Sequence, residues 1–241
     1  MHKLMTAREY MRGFHDRGAS AFLVLLVLGD LAFILLHFVN ELTPTSRNLL
    51  SIAKDRSYAE LYQYVKFLWI ITLLAKIARD RKTVHYVTWV LVFTYFLFDD
   101  ALKIHELGGD FIAEKLDFTP PLGLRLEDIG ELVVSATAGV GLLALVMWTY
   151  KSGSVVFRKI SQDIALLILL MVIAGVVVDM LHSASKVGGA VGFALGVIED
   201  GGEMLAASLI LWRIFLSNVR GDIADSYLSD GVRTALTKRS A

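Results

Sequence analysis

The chain contains no cysteine. Disulfides, thiolate nucleophiles and Cys-ligated zinc or iron-sulfur centres are therefore excluded, and any bound metal would have to take oxygen and imidazole ligands. Proline is nearly as scarce: Pro44, Pro120 and Pro121 are the only three in 241 residues. There is no net charge either, since 24 basic residues balance 24 acidic ones. With no basic excess, nothing marks a nucleic-acid partner. What the chain has in abundance is apolar sequence, 55% of residues with a mean hydropathy of +0.58. Several of its runs reach the roughly 20 residues that a helix needs to cross a bilayer.

Apolar runs of that length predict helices near 20–42, 59–78, 84–106, 124–149, 161–183 and 188–216. All three prolines fall between them, as expected of a residue that removes a helical hydrogen bond. The expected fold is an all-α integral membrane protein of about six transmembrane helices in three hairpins, a single polytopic domain over 1–241. Residues 1–19 are expected to form a cytoplasmic amphipathic segment and 217–241 a cytoplasmic tail. Four basic residues precede the first run, but the run is long enough to span and lacks a small-residue cleavage site. It therefore reads as a retained helix rather than a signal peptide. Within 3–15, Leu4, Ala7, Met11 and Phe14 share one helical face, and 110–118 mixes Phe111, Ile112, Leu116 and Phe118 with charges. Both segments are expected to lie on the lipid surface.

Lys and Arg favour the cytoplasmic side of a membrane. An inside N-terminus places sixteen of the 24 basic residues there and seven outside, with Lys66 inside a helix. The expectation is a multi-pass protein with both termini inside, in a bacterial-type inner (plasma) membrane. Glycines at 188, 192 and 196 open the sixth run at four-residue spacing. That spacing clears a face for close helix packing.

The informative residues are acids within apolar sequence. The third run ends in Asp99-Asp100-Ala101-Leu102-Lys103-Ile104-His105-Glu106, the fourth opens with Glu127-Asp128-Ile129-Gly130-Glu131, the fifth carries Asp179 and His182, and the sixth carries Glu199-Asp200-Gly201-Gly202-Glu203. The last two hairpins thus look like an internal repeat of helices 3–4 and 5–6: Asp100 matches Asp179, Gly108-Gly109 matches Gly188-Gly189, and Glu-Asp-x-x-Glu recurs. Lys103 stands where a counterpart of His182 would be expected. A fainter stripe, Asp30, His37 and Glu41, follows one face of the first helix. With alternating helix direction, every cluster falls toward the outer leaflet.

A carboxylate at a helix centre costs about 2.5–3.5 kcal/mol on membrane-insertion scales, so an acid surplus of this size requires compensation. Imidazole and carboxylate donors without sulfur suit iron, zinc or manganese. The arrangement is reminiscent of dinuclear carboxylate sites in helical bundles, with Asp179-x-x-His182 in place of one Glu-x-x-His pair and the second pair missing. The expectation is therefore a metal-dependent membrane enzyme, a hydrolase or di-iron oxidoreductase, acting at the outer leaflet on a lipid or other hydrophobic substrate. Its divalent metal ion would be held by Asp100, His105, Glu127, Glu131, Asp179, His182, Glu199 and Glu203, with Asp128 or Asp200 as general base. Arg125 and Lys103 would bind an anionic headgroup. His105 lies about 120° from the Asp99–Glu106 stripe, so its participation requires a helix break near Gly108. The rival is a cation- or proton-coupled transporter or channel using the same acids. Partners are the bilayer, that substrate, and a second copy or a larger membrane complex.

Overall fold

The computed structural model describes residues 17–44, 47–116, 120, 124–185 and 188–220. Among them every regular element is helical. The order is α1 (Arg17–Glu41), a 3-10 turn (Asn48–Leu50), α2 (Tyr58–Asp80), α3 (His85–Leu102), α4 (Ile104–Ala113), α5 (Leu126–Ser152), α6 (Val155–Val172), a π-helical turn (Ile173–Val178), α7 (Asp179–Ser185) and α8 (Gly189–Arg220). Residues 3–15, one of the two expected surface segments, lie outside the described residues.

Local chemistry sets several of the boundaries. Ser57 caps α2 by accepting the Glu60 backbone N–H, and Ser154 caps α6 by accepting that of Phe157. At the head of α5 the Asp128 carboxylate accepts the Arg125 backbone N–H at 2.8 Å and the Arg125 Nε–H at 2.9 Å. The acid thereby satisfies a donor that the first helical turn would leave free.

The third apolar run does not continue to 106 as expected. It stops at Leu102 because Lys103 adopts a left-handed conformation, φ 54°, which turns the chain out of the helix. α4 then folds back along the start of α5 through two glycines. A Cβ on Gly130 would sit 2.2 Å from the Gly109 carbonyl oxygen, and one on Gly109 would sit 2.7 Å from the Glu131 nitrogen. Residues 104–113 therefore pack backbone against backbone, with Gly109 and Ala113 buried, while Leu107 and Phe111 remain outward. Of the expected surface segment 110–118, residues 117 and 118 lie outside the described residues, and α4 ends at Ala113.

α8 is the axis of the molecule. Ala206, Ala207, Ile210, Leu211, Trp212 and Ile214 are buried against α1, α2 and α6. Two ion pairs with fully buried side chains run through this core. Lys66 Nζ donates to Asp30 Oδ1 at 3.0 Å, to the Met204 carbonyl at 2.8 Å and to Ser208 Oγ at 3.4 Å, while Ser208 Oγ donates to Asp30 Oδ2 at 2.6 Å. Arg213 Nε donates to Asp163 Oδ2 at 2.6 Å. The first pair ties α1, α2 and α8 together, and the second ties α6 to α8. Arg213 is thus a core residue, not one of the cytoplasmic charges that the loop count made of it.

Four helices are long and apolar enough to cross a membrane: α1, α2, α5 and the continuous length Val155–Ala184. The expectation of six is not met on that measure. Asp99 and Asp100 in α3, and Glu199, Asp200, Glu203 and Arg213 in α8, dilute those two runs. Beyond its start, where α4 packs on it, α5 is little covered: only 6% of its apolar span is buried inside the chain.

Nor does the repeat emerge as two equal hairpins. The first has a break at Lys103 and a separate α4, whereas the second has a π-helical turn and no break of that kind. Gly201 and Gly202 lie within an unbroken α8 and serve packing. A Cβ on Gly201 would meet Ile34 at 3.1 Å and one on Gly202 would meet Ala174 at 2.9 Å. Gly188 and Gly196 do not provide the expected close helix contact: around Gly188 there is open space, and the nearest neighbour of Gly196 is His182 at 3.9 Å.

Candidate functional site

One cavity of about 630 Å³ opens between α5 and the bundle, within the range of small-molecule sites. Its lining changes character along its length. On α5 it passes from Asp128 and Glu131 through Ser135 and Gly139 to Leu142 and Val146, roughly 27 Å at 1.5 Å per residue. On α3 it passes from Asp99 and Asp100 through Phe96 to Trp89, and on α6–α7 from Asp179 through Gly175 to Ile168 and Ala165. Three helices grade from acid to apolar in the same sense. The result is a cleft with a carboxylate-rich head and an apolar arm.

The π-helical turn helps place one of these acids. An added Cβ on Gly175 would lie 1.5 Å from Glu203 Oε1, so the carboxylate of α8 reaches the cavity across the bare backbone of that glycine. π-Helical turns recur at functional sites because they re-aim a helix face without ending it. The break at Lys103 does the same for His105. It brings the His105 backbone N–H to Asp99 Oδ1 and its Nδ1 to Asp99 Oδ2, each at 3.0 Å. The break that His105 needs exists, five residues before the expected one at Gly108. The hydrogen bond to Asp99 is the main influence raising the His105 pKa from its usual value, against the effect of burial. Lys103, bonded to Asp55 and Glu106, is likewise shifted upward.

Of the residues singled out in the sequence, Asp100, His105, Asp128, Glu131, Asp179 and Glu203 line this cavity. The others do not. Glu127 is exposed on α5. His182 and Glu199 pair with each other at 3.4 Å, and His182 lines a separate cleft with His37, Glu41 and Lys54. Asp200 lies half-buried beside them on α8 and lines neither opening. Arg125 is engaged by Asp128 and Lys103 by Asp55 and Glu106, so both proposed headgroup ligands already hold acids. The Asp30–His37–Glu41 stripe is divided: Asp30 belongs to the Lys66 pair, and His37 Nδ1 meets Ser51 Oγ at 3.2 Å.

The metal site is not formed. Among the described residues no three His, Asp or Glu side chains come together in a way that could hold a metal ion. This overturns the metal-dependent enzyme as the function. The physical reason is spacing. Metal ligands must converge to about 2.0–2.6 Å from one point, whereas these acids line the wall of a wide cavity, and His182, paired with Glu199, lines another opening. The transporter offered as a rival used the same acids as a cation or proton site, and with no metal-holding group among the described residues its metal-cation form loses that footing.

Two features escaped the sequence reading. Gln63 lines the cavity, is only 7% exposed, and its Oε1 has no hydrogen-bond partner among the described residues. A neutral amide in an amphipathic helix gives no signal without its surroundings. Asp163 and Arg213 did give one, as charges within or beside apolar runs, but their 50-residue separation hid the pairing.

These features define the class: an all-helical protein with four helices able to cross a membrane and an amphipathic cavity between them. Residues 19–219 match the family described as "Domain of unknown function (DUF8692)", and the chain belongs to that family. The match runs from α1 to α8 and so takes in the whole cavity. No curated protein and no solved structure matches the chain.

Proposed function

We propose that this is a multi-pass membrane protein that binds one single-chain amphiphile, head among the carboxylates and tail along the apolar arm. The observation that carries this reading is the shared gradient of α3, α5 and α6–α7 from acid to apolar along one cavity. α5 supports it further. A helix so little covered by its own chain faces lipid along its length, which gives a hydrophobic tail a lateral way in.

In this reading α3 and α8, sheltered by their neighbours, join the four apolar helices to make six membrane-crossing helices in three hairpins. The two ends of the bundle are chemically opposite. Asp99, Asp100, Glu131 and Glu203 gather at one, and Lys76, Arg79, Arg81 and Lys82 close α2 at the other. The basic end is assigned to the cytoplasm and the acidic head of the cavity to the outer leaflet.

The test is photolabelling of the detergent-purified protein with an alkyl amphiphile carrying a diazirine near the end of its tail. Label on Trp89, Leu142, Val146 or Ile168, removed by excess unlabelled amphiphile, is the expected result. Label confined to outward residues such as Leu25, Leu28 and Trp148, with no competition, would overturn the reading.

A further inference from the structure

Resting on that reading, we infer that the head of the bound amphiphile is a primary ammonium, held by the carboxylates around Glu203 and by the amide of Gln63. The charge of the cavity comes first. Asp100, Glu131, Asp179 and Glu203 line it, and none has an ion-pair partner among the described residues. The cations nearest the head are already committed: His105 to Asp99, Arg125 to Asp128, and Lys103 to Asp55 and Glu106. An anionic head would add negative charge to a wall that already has an excess of it, and a zwitterionic head would leave that excess unbalanced. A cationic head supplies what the wall lacks.

Gln63 narrows the chemistry. α2 and α8 run in the same direction, with Lys66 against Met204 and Asn218 against Leu73. α3 runs antiparallel to α2, Phe67 packing on Phe93 and Phe96. These registers set Gln63 level with Glu203 on one side and Asp100 on the other, at the acidic head. The side chain is more than nine-tenths buried and its Oε1 has no hydrogen-bond partner among the described residues. Leaving such a group unmet is costly. A ligand N–H donor to Gln63 Oε1 meets it, and the remaining N–H groups reach carboxylates on facing helices.

A primary ammonium carries three such donors, whereas a quaternary ammonium carries none. The spacing that fails a metal suits this head, because N–H···O contacts at about 2.8 Å from an ammonium need acids spread around a wider chamber.

Competition against the same photoprobe separates this inference from the reading beneath it. The competitors are dodecylamine, dodecyltrimethylammonium, dodecanol and dodecanoate, in nonionic detergent at neutral pH. Dodecylamine is expected to displace the label at the lowest concentration. Its advantage over the trimethyl compound should be roughly ten-fold, about one charge-assisted hydrogen bond. Gln63→Leu should erase most of that advantage. Glu203→Gln combined with Asp179→Asn should weaken both cations while leaving competition by dodecanol unchanged, which also shows that the variant is folded. Equal competition by the two cations, or Gln63→Leu leaving the ratio intact, would overturn the primary-ammonium head. Stronger competition by dodecanoate would overturn the cationic head altogether, with the amphiphile cavity still standing. No competition by any of the four would remove the amphiphile reading, and this inference with it.

Discussion

The protein holds two kinds of carboxylate, fully buried and half-buried, and they stand in opposite relations to their surroundings. Asp30 and Asp163 sit in the core with fully buried basic partners, Lys66 and Arg213, and Ser208 bridges the first pair. Glu203, Asp179 and Glu131 stand about a cavity with no basic partner among the described residues. The difference teaches which acids hold the fold and which leave work for something outside it. A buried pair with its lone pairs and protons satisfied is a fixed strut. A sheltered acid without a cation carries a cost that a ligand, a proton or water must offset.

The comparison is broken most severely by removing one member of a core pair. Lys66→Met strands Asp30 and Ser208 in the core and is expected to cost about 3–5 kcal/mol, read as a large fall in Tm in detergent. Replacing both partners, Lys66→Met with Asp30→Leu, should recover most of the loss. If the single change is harmless, the pair is not a strut.

Next in size is Gly130→Ala, whose added Cβ would meet the backbone oxygen of Gly109 at 2.2 Å. Backbone cannot step aside as a side chain can, so α4 must lift from α5 at a cost of about 1–3 kcal/mol. Circular dichroism melts give that figure, and the photoprobe should label less efficiently as the head of the cavity distorts. A variant with unchanged Tm would mean that the two glycines are not in contact.

The cavity acids should answer in the other direction. Glu203→Gln is expected to leave Tm unchanged or raise it by a few degrees, because it removes a charge that nothing in the described chain balances. A fall as large as that for Lys66→Met would erase the distinction between the two kinds of acid.

The smallest effect concerns His105, outside the spans. Its folded pKa is raised by the Asp99 hydrogen bond, so that bond's stabilisation is fully present below about pH 6.5 and fades as pH rises through the raised value. The Tm difference between the protein and Asp99→Asn should therefore shrink on going from pH 6 to pH 9. A difference that grows across this range would reverse the sign of the coupling.

Much of this was legible in the residues. The apolar runs placed α1, α2, α5 and α6–α7 within a few residues of their observed positions, because burial in lipid demands length and apolarity that few other structures require. Asp100, Asp128, Glu131, Asp179 and Glu203, with His105, come from several helices and line one cavity. Lys103 was misread because a charged residue inside an apolar run does not announce a left-handed φ. His182 and Glu199 were misassigned because helical spacing shows which residues share a face, not which neighbour that face meets.

By itself, then, the sequence determined that the chain is helical, that most of its helices suit a bilayer, and that clusters of acids interrupt its apolar runs. These are consequences of local composition and periodicity, which each segment carries alone. Only the tertiary structure decided that Asp30 and Asp163 are paired while Glu203 is not, that Gly175 and the π-helical turn open a path for that carboxylate, and that the acids ring a wide cavity instead of converging on an ion. Those outcomes depend on distances between helices far apart in the chain, set by backbone contacts such as Gly109 against Gly130.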